Sequence, residues 1–454
     1  MTRRWVRAVA GAAVLAVGSI GLMATGPAEA ASESNQFSNL KPIKAPNPCP
    51  NKDGVSADEI KVGAILPQSG PFAAFYSTII EGVRARVAKA NEEGELGDRQ
   101  INLVTVDDAG DTSRNVTAAQ QLVEQDKVFG IISETPAGDA SGAYLNDQKV
   151  PVVGWQLGLP VYGTYTNYFG MQNANTEDIK TNFTSRNADV VKALGGTKLA
   201  LVGNSVANGV IFTEQVKYAA DHTKGMKTVY LNHDIPPGTT EMGSIAEELK
   251  QSGADSLYLV LDTGGQNALI SALRQAGVNL DPIVIPGGYS PLVLGLPSYD
   301  DVYFGIEFKP YEITPEWPGL TEYKKWMAST APNGVLSQLT GVGWISANTF
   351  IEGLKAAGVS CPTRKAFINN LRLKKGYTAD GFFDDPETTI DFAEVFNKPF
   401  TCVYYVHIEN KQFVPQFDGK PFCAKQLFKD NKTLKNVQAP TTTTAAPTTT
   451  TAAP

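Results

Sequence analysis

The chain has little of what most catalytic and metal sites are built from. Among 454 residues there are three histidines (His222, His233 and His407), far apart, and four cysteines. The cysteine spacing fits no zinc motif, so neither a structural nor a catalytic metal site is expected. The sequence contains no H-E-x-x-H, G-x-S-x-G or G-x-G-x-x-G and no P-loop Gly-Lys-Ser/Thr. That removes the familiar signatures of metalloprotease, serine hydrolase and nucleotide binder, and no cofactor is expected. With so few histidines a nucleophilic triad would need an unusual base. Positive charge is also short: 39 Lys and Arg stand against 46 Asp and Glu, a net charge of -7, with no dense basic run. A nucleic-acid partner is therefore not expected. Beyond the first 30 residues no segment is apolar enough to span a bilayer.

What is present begins with an export signal. Arg3, Arg4 and Arg7 form a charged end, Val9 to Ala24 an apolar run, and Ala28-Glu29-Ala30 a small-x-small cleavage site. Residues 1–30 read as a signal peptide, with the mature chain starting at Ala31. No cysteine follows the cleavage site, so no lipid anchor is expected there. Export to an oxidising space makes Cys49, Cys361, Cys402 and Cys423 candidates for two disulfides. Three connectivities are possible. The short span from Cys402 to Cys423 brackets an expected hairpin, which favours Cys402–Cys423 with Cys49–Cys361.

The mature chain of about 400 residues is long enough for two or three domains. Residues 31–58 are polar and proline-rich, an extended lead-in. Ile60, Val62, Ala64 and Leu66 then alternate as in a buried strand, Ser69-Gly70-Pro71 breaks the period, and Ile79, Ile80, Val83, Val87 and Ala90 recur at helical spacing. A strand that ends in a Ser/Gly loop feeding a helix presents free N–H groups and a helix N-terminus at its C-terminal edge. Further strand-like runs are read at 101–106, 128–132, 150–153 and 168–171, with helices between them. Asp111 is placed to cap one of those helices. A second alternation follows: strands at 198–203, 227–231, 256–261, 283–285 and 302–308, with helices at 210–222, 241–251 and 265–276. Two successive sets imply two α/β units with mostly parallel sheets and helices on both faces. Residues 317–373 are mostly helical, a hairpin is expected near Glu409-Asn410, and the Thr/Ala/Pro tail 439–454 has almost nothing to bury and is expected to be disordered.

The order of these motifs resembles a known family. Ile60-Lys-Val-Gly-Ala-Ile-Leu-Pro-Gln-Ser-Gly-Pro-Phe-Ala, Ile101-Asn-Leu-Val-Thr-Val-Asp-Asp, Ala118-Ala-Gln-Gln-Leu-Val-Glu-Gln-Asp-Lys-Val and Ile131-Ile-Ser-Glu-Thr-Pro-Ala-Gly follow in the order seen in the branched-chain amino-acid binding proteins. So do Val150-Pro-Val-Val-Gly, Ile235-Pro-Pro-Gly-Thr-Thr and Ala268-Leu-Ile-Ser-Ala-Leu-Arg-Gln-Ala-Gly. These are type I periplasmic binding proteins that serve ABC importers, and the match covers roughly residues 58–420.

The resemblance implies two doubly wound lobes joined by a three-crossing hinge: 60–175 with 310–399, and 176–309 with 400–422. It implies a non-enzymatic, monomeric receptor in a periplasm-like space, at the cell surface or secreted. Such a receptor would take a small solute, an amino acid or a hydrophobic or aromatic carboxylate, and deliver it to an ABC permease. Carried over by position, the ligand contacts fall on Ser69, Phe72, Tyr76, Thr135, Ala137, Gly138, Trp155 and Gln156 in the first lobe. Those of the second lobe fall on Asn208, Asp262 and Tyr289. Two departures stand out. The loop Gly287-Gly288-Tyr289 carries no carboxylate for an α-ammonium, and Pro136-Ala137 replaces paired hydroxyls. Asp262 or Glu134 could substitute as the anion, or the aromatic residues could make a flatter pocket. The anionic end of the ligand is expected on backbone N–H groups of the Ser69 or Thr135–Gly138 loops. Competing readings are an exported sensor on the same fold, a surface stalk ending in the Thr/Pro tail, and a secreted hydrolase.

Overall fold

The computed structural model describes residues 37, 40–156, 158–171, 183–393 and 400–428. The expected leader, the Thr/Ala/Pro tail and the crossings placed near Asn175 and Pro399 lie outside those residues.

The strand that opens the fold, β1 (Glu59–Leu66), is buried along most of its length, because it is paired on both edges and covered on both faces. It pairs in parallel with β2 (Gln100–Asp107) and β3 (Gly130–Ser133), and β4 (Val152–Gly154) and β5 (Tyr168–Gly170) continue the sheet. The order β2-β1-β3-β4-β5 reverses direction between β1 and β3, so the loops that follow those two strands diverge and leave a crevice.

After β6 (Phe183–Thr184), a second sheet is built from β7 (Lys198–Asn204), β8 (Lys227–Ile235), β9 (Ser256–Val260), β10 (Ile283–Ile285) and β11 (Val302–Ile306). It is completed by β12 (Cys402–Glu409) and β13 (Gln412–Pro415), in the order β13-β12-β11-β10-β9-β7-β8. Its central strands are parallel and the last two antiparallel. The order reverses again between β7 and β9. The expected hairpin is thus β12–β13, and its strands close the second sheet although they come last in the chain. Short pairs, β14 (Phe422–Cys423) with β12 and β15 (Leu427–Phe428) with β6, finish the second lobe.

Between β11 and β12 the chain returns to the first lobe. The helices Pro318–Thr330, Gln338–Ala357 and Arg364–Arg372 join one apolar core with β1 and the helix Ile79–Glu92. Gln338–Ala357 is buried on nearly every side, as its run of Val342, Ile345, Phe350, Ile351 and Leu354 requires. It crosses Ile79–Glu92 so closely that a methyl group on Gly343 would collide with the Ile79 carbonyl, and one on Gly82 with the Thr340 carbonyl. Ser337 starts the helix with a capping box through Thr340.

Both expected disulfides are present: Cys49–Cys361 and Cys402–Cys423. The first ties the lead-in to the first lobe. There the lead-in is more than an extended segment, because Ile43 exchanges two backbone hydrogen bonds with the Asn370 amide, both 2.8 Å. The second joins β12 to β14 across their register pair.

Candidate functional site

The two reversals in strand order face each other. A cavity of about 140 Å³ opens between them. The first lobe contributes Phe72, Phe75 and Tyr76 after β1, Pro136 after β3, and Trp155 and Gly158 after β4. The second lobe contributes Asn204 and Asn208 at the end of β7, Leu261 and Asp262 after β9, Gly287 after β10 and Glu307 after β11. Every one of these positions lies at or just beyond a strand's C-terminal end, where an open α/β sheet offers its ligand crevice.

The first-lobe wall is aromatic. Phe75 stacks on Trp155 with ring centroids 6.2 Å apart, and meets Tyr76 edge-on at 5.0 Å. The Trp155 indole reaches across the cleft. Its Nε1–H donates to Glu307 Oε1 at 3.2 Å, and its ring edge lies 3.4 Å from where a Cβ on Gly287 would stand. Glu307 is held from the other side by Gln338, whose Nε2 donates to Glu307 Oε2 at 2.8 Å. The Gln338 Oε1 accepts the Gly288 N–H at 2.8 Å. The start of a first-lobe helix is thus bonded to the last cleft loop of the second lobe.

Three buried carboxyls surround this junction. Glu134 is 2% exposed and its Oε2 accepts the Trp155 N–H at 3.1 Å. Burial pushes its pKa up to about 8 against the opposing pull of the Ser346 hydroxyl and the Trp155 N–H, so it is mostly protonated at neutral pH. Burial also raises Glu307, opposed by Gln338, Arg186 and Trp155. Asp262 caps the helix Thr263–Gln275: its Oδ1 accepts Gly265 N–H at 3.1 Å and its Oδ2 accepts Gly238 N–H at 3.0 Å.

Of the residues singled out in the sequence, Phe72, Tyr76, Trp155, Asn208 and Asp262 line the cavity. The others are placed differently. Ser69 Oγ–H donates to Asp107 at 2.6 Å and its N–H points to the same carboxylate. Thr135 Oγ1–H donates to buried Asp108 at 2.6 Å and accepts the Ala137 N–H at 3.2 Å, while Gly138 N–H is bonded to Thr135 O. These loops therefore spend the donors that an anion was expected to meet on Asp107 and Asp108 of the neighbouring loop and on the turn at Thr135. Gln156 is fully buried behind Trp155. Tyr289 turns away from the cavity, because Gly288 at φ +116° carries the chain round. Its ring packs on Phe413 at 4.6 Å, its hydroxyl donates to Glu312 at 2.7 Å, and that oxygen accepts Tyr311 N–H at 3.0 Å. It braces the crossing segment.

Two charged residues that line the cavity, Arg186 and Glu307, were not singled out in the sequence. Glu307 carried a signal, a single charge in the apolar strand run 302–308. Arg186 carried none, because it reaches the cavity only through the fold.

The profile of the periplasmic binding protein family matches residues 59–412. A Leu/Ile/Val-binding protein homolog 7 from Brucella abortus is 27% identical over 349 residues, covering 72% of this chain and 84% of the relative. A fatty acid ABC transporter substrate-binding protein from Thermomonospora curvata superposes with a TM-score of 0.69 at 20% identity, covering 88% of this chain and 99% of that one. An ABC transporter solute binding protein from R. palustris, in complex with benzoate, gives 0.66 at 19% identity, covering 81% and 98%.

Proposed function

The chain belongs to the periplasmic binding protein family, and from that premise we propose that it is the exported receptor of an ABC importer. It captures one small carboxylate-bearing solute between its lobes and hands it to the permease. The single observation that carries this reading is the cavity at the two facing reversals of strand order, walled by Phe72, Phe75, Tyr76 and Trp155 on one side and by the β7, β9 and β10 loops on the other. Relatives named for branched-chain amino acids, fatty acid and benzoate support a solute with an acid group and an apolar body. A solute that touches both walls stabilises the closed arrangement by the difference between its affinities for closed and open forms. Two disulfides suit an oxidising exterior. The receptor acts by binding and release, with no bond made or broken.

The test is mass spectrometry of solute released from the purified protein, followed by thermal-shift screening of amino acids and of aliphatic and aromatic acids. A true ligand raises the melting temperature in proportion to the logarithm of its concentration above Kd. A protein that releases nothing and is shifted by no acid contradicts the proposal, as does turnover of an ester or amide that is lost on mutating a cavity residue.

A further inference from the structure

The cavity does not stop between the lobes. It extends over the face of the second sheet that carries Tyr258 and Val260 on β9, Gly305 on β11 and Val403 and Tyr405 on β12. Phe212, from the helix Ala207–Asp221, covers that face, with its ring 6.0 Å from that of Tyr258. Gly305 leaves room there: a Cβ at that position would stand 3.2 Å from the Tyr405 ring and 3.5 Å from Val403. Into this apolar chamber the first turn of the helix Arg186–Ala193 brings one cation, Arg186.

Arg186 is anchored by its Nη1, which donates to the Phe400 carbonyl at 2.7 Å, and it lies within hydrogen-bonding reach of the buried Tyr405 hydroxyl. A guanidinium carries five N–H donors in a planar fork. Among the described residues its remaining recorded acceptor is Asn187 Oδ1, at a long 3.5 Å. The fork therefore has capacity for a carboxylate, and the surrounding low dielectric strengthens such a pair. No carboxylate is similarly placed for an ammonium group. Asp262 is committed to its helix cap and Gly238, Glu307 is held by Trp155 and Gln338 and already faces the charge of Arg186, and Glu134 is mostly neutral.

We infer that the ligand is a compact monocarboxylate without an α-amino group, bound with its acid on Arg186 in the second lobe. Its aryl or branched alkyl body lies against Phe212, Tyr258 and Val260 and reaches toward the aromatic wall of the first lobe. A cavity of about 140 Å³ is sized for one ring or a short branched chain, since an apolar void of roughly 150 Å³ takes a benzene. This rests on the receptor reading and narrows its ligand class. An amino acid of the same body would bury an ammonium group without a counter-ion, which is strongly unfavourable.

The experiment is calorimetric titration of the mature protein with two matched pairs, 4-methylpentanoate against leucine and 3-phenylpropanoate against phenylalanine. The inference expects the deamino acid of at least one pair to bind, and to bind at least tenfold more tightly than its amino acid. Arg186→Gln should weaken that acid by about 10- to 100-fold, as loss of a charge-assisted pair implies, and Arg186→Lys by less. Val260→Phe, which leaves the Arg186–Phe400 bond untouched, should abolish binding while the melting temperature of the unliganded protein holds. Tighter binding of an amino acid than of its deamino analogue overturns the inference. So does unchanged affinity in Arg186→Gln, or failure of both deamino acids to bind. In the first two cases the receptor reading stands, because a small solute has bound; in the third it survives if another solute is released from the protein or shifts its melting temperature, and fails if none does.

Discussion

Replacing Glu134 by glutamine tests the electrostatics of the cleft directly. The carboxyl is 2% exposed behind Trp155, and burial raises its pKa to about 8. In the unfolded chain a glutamate titrates near 4.3. A carboxyl whose folded pKa lies above its unfolded pKa contributes fully at or below the unfolded value, and that contribution is lost as pH rises to the folded value. The window is therefore about pH 4.5 to 8. A gap of roughly 3.5 units at about 1.4 kcal/mol per unit is on the order of 5 kcal/mol across that window. For roughly 370 residues at about 2.1 cal/mol/K each, this corresponds to about 6 °C in melting temperature. Glu307 and Asp108, also raised by burial, tilt the wild-type curve in the same direction. The informative quantity is therefore the difference between variant and wild type. Glutamine mimics the neutral acid and keeps an acceptor for the Trp155 N–H. Melting curves by differential scanning calorimetry from pH 4.5 to 8.5 should show Glu134→Gln gaining on wild type as pH rises, with the difference levelling off above pH 8. Curves that stay parallel would refute the assignment of a neutral Glu134.

Three further outcomes follow from packing and covalent geometry. Cys402→Ser with Cys423→Ser opens a loop of 21 residues' separation and should destabilise by about 3 kcal/mol in chemical denaturation; no shift in midpoint would mean that the bridge does not constrain the unfolded chain. Gly343→Ala puts a methyl group against the Ile79 carbonyl and should cost about 2 kcal/mol or more, read as a lower melting temperature; a neutral result would contradict the close helix crossing. Trp155→Phe removes the indole donor to Glu307 and should weaken the closed arrangement by about 2 kcal/mol, seen as roughly 30-fold weaker ligand binding; unchanged binding would contradict a role for that hydrogen bond in holding the lobes together.

The fold was readable because parallel strands covered on both faces leave a strong local imprint. The alternation at Ile60–Leu66, the loop at Ser69–Pro71 and the helical spacing from Ile79 onward each follow from nearest neighbours in sequence. The aromatic wall was reached through the family resemblance, which placed Phe72, Tyr76 and Trp155 in the segments that follow β1 and β4. The roles of Ser69 and Thr135 were not, because carboxylates of the neighbouring loop, Asp107 and Asp108, claim their hydroxyls. The direction of Tyr289 was not legible either: whether a side chain after two glycines faces the cleft depends on the Gly288 dihedral, and Phe413 and Glu312 hold the ring and hydroxyl. Arg186 had no local signature at all. It enters the chamber because a segment more than two hundred residues later, Phe400 ahead of β12 and Tyr405 within it, supplies the partners that fix its side chain.

Spin-label distance measurement between Gln120, exposed on the first lobe, and Glu247, exposed on the second, tests the clamp itself. A stoichiometric excess of the solute recovered from the protein should move the distribution to one narrower population at a new mean. A distribution that does not change while the solute is demonstrably bound would contradict closure of two lobes on a ligand.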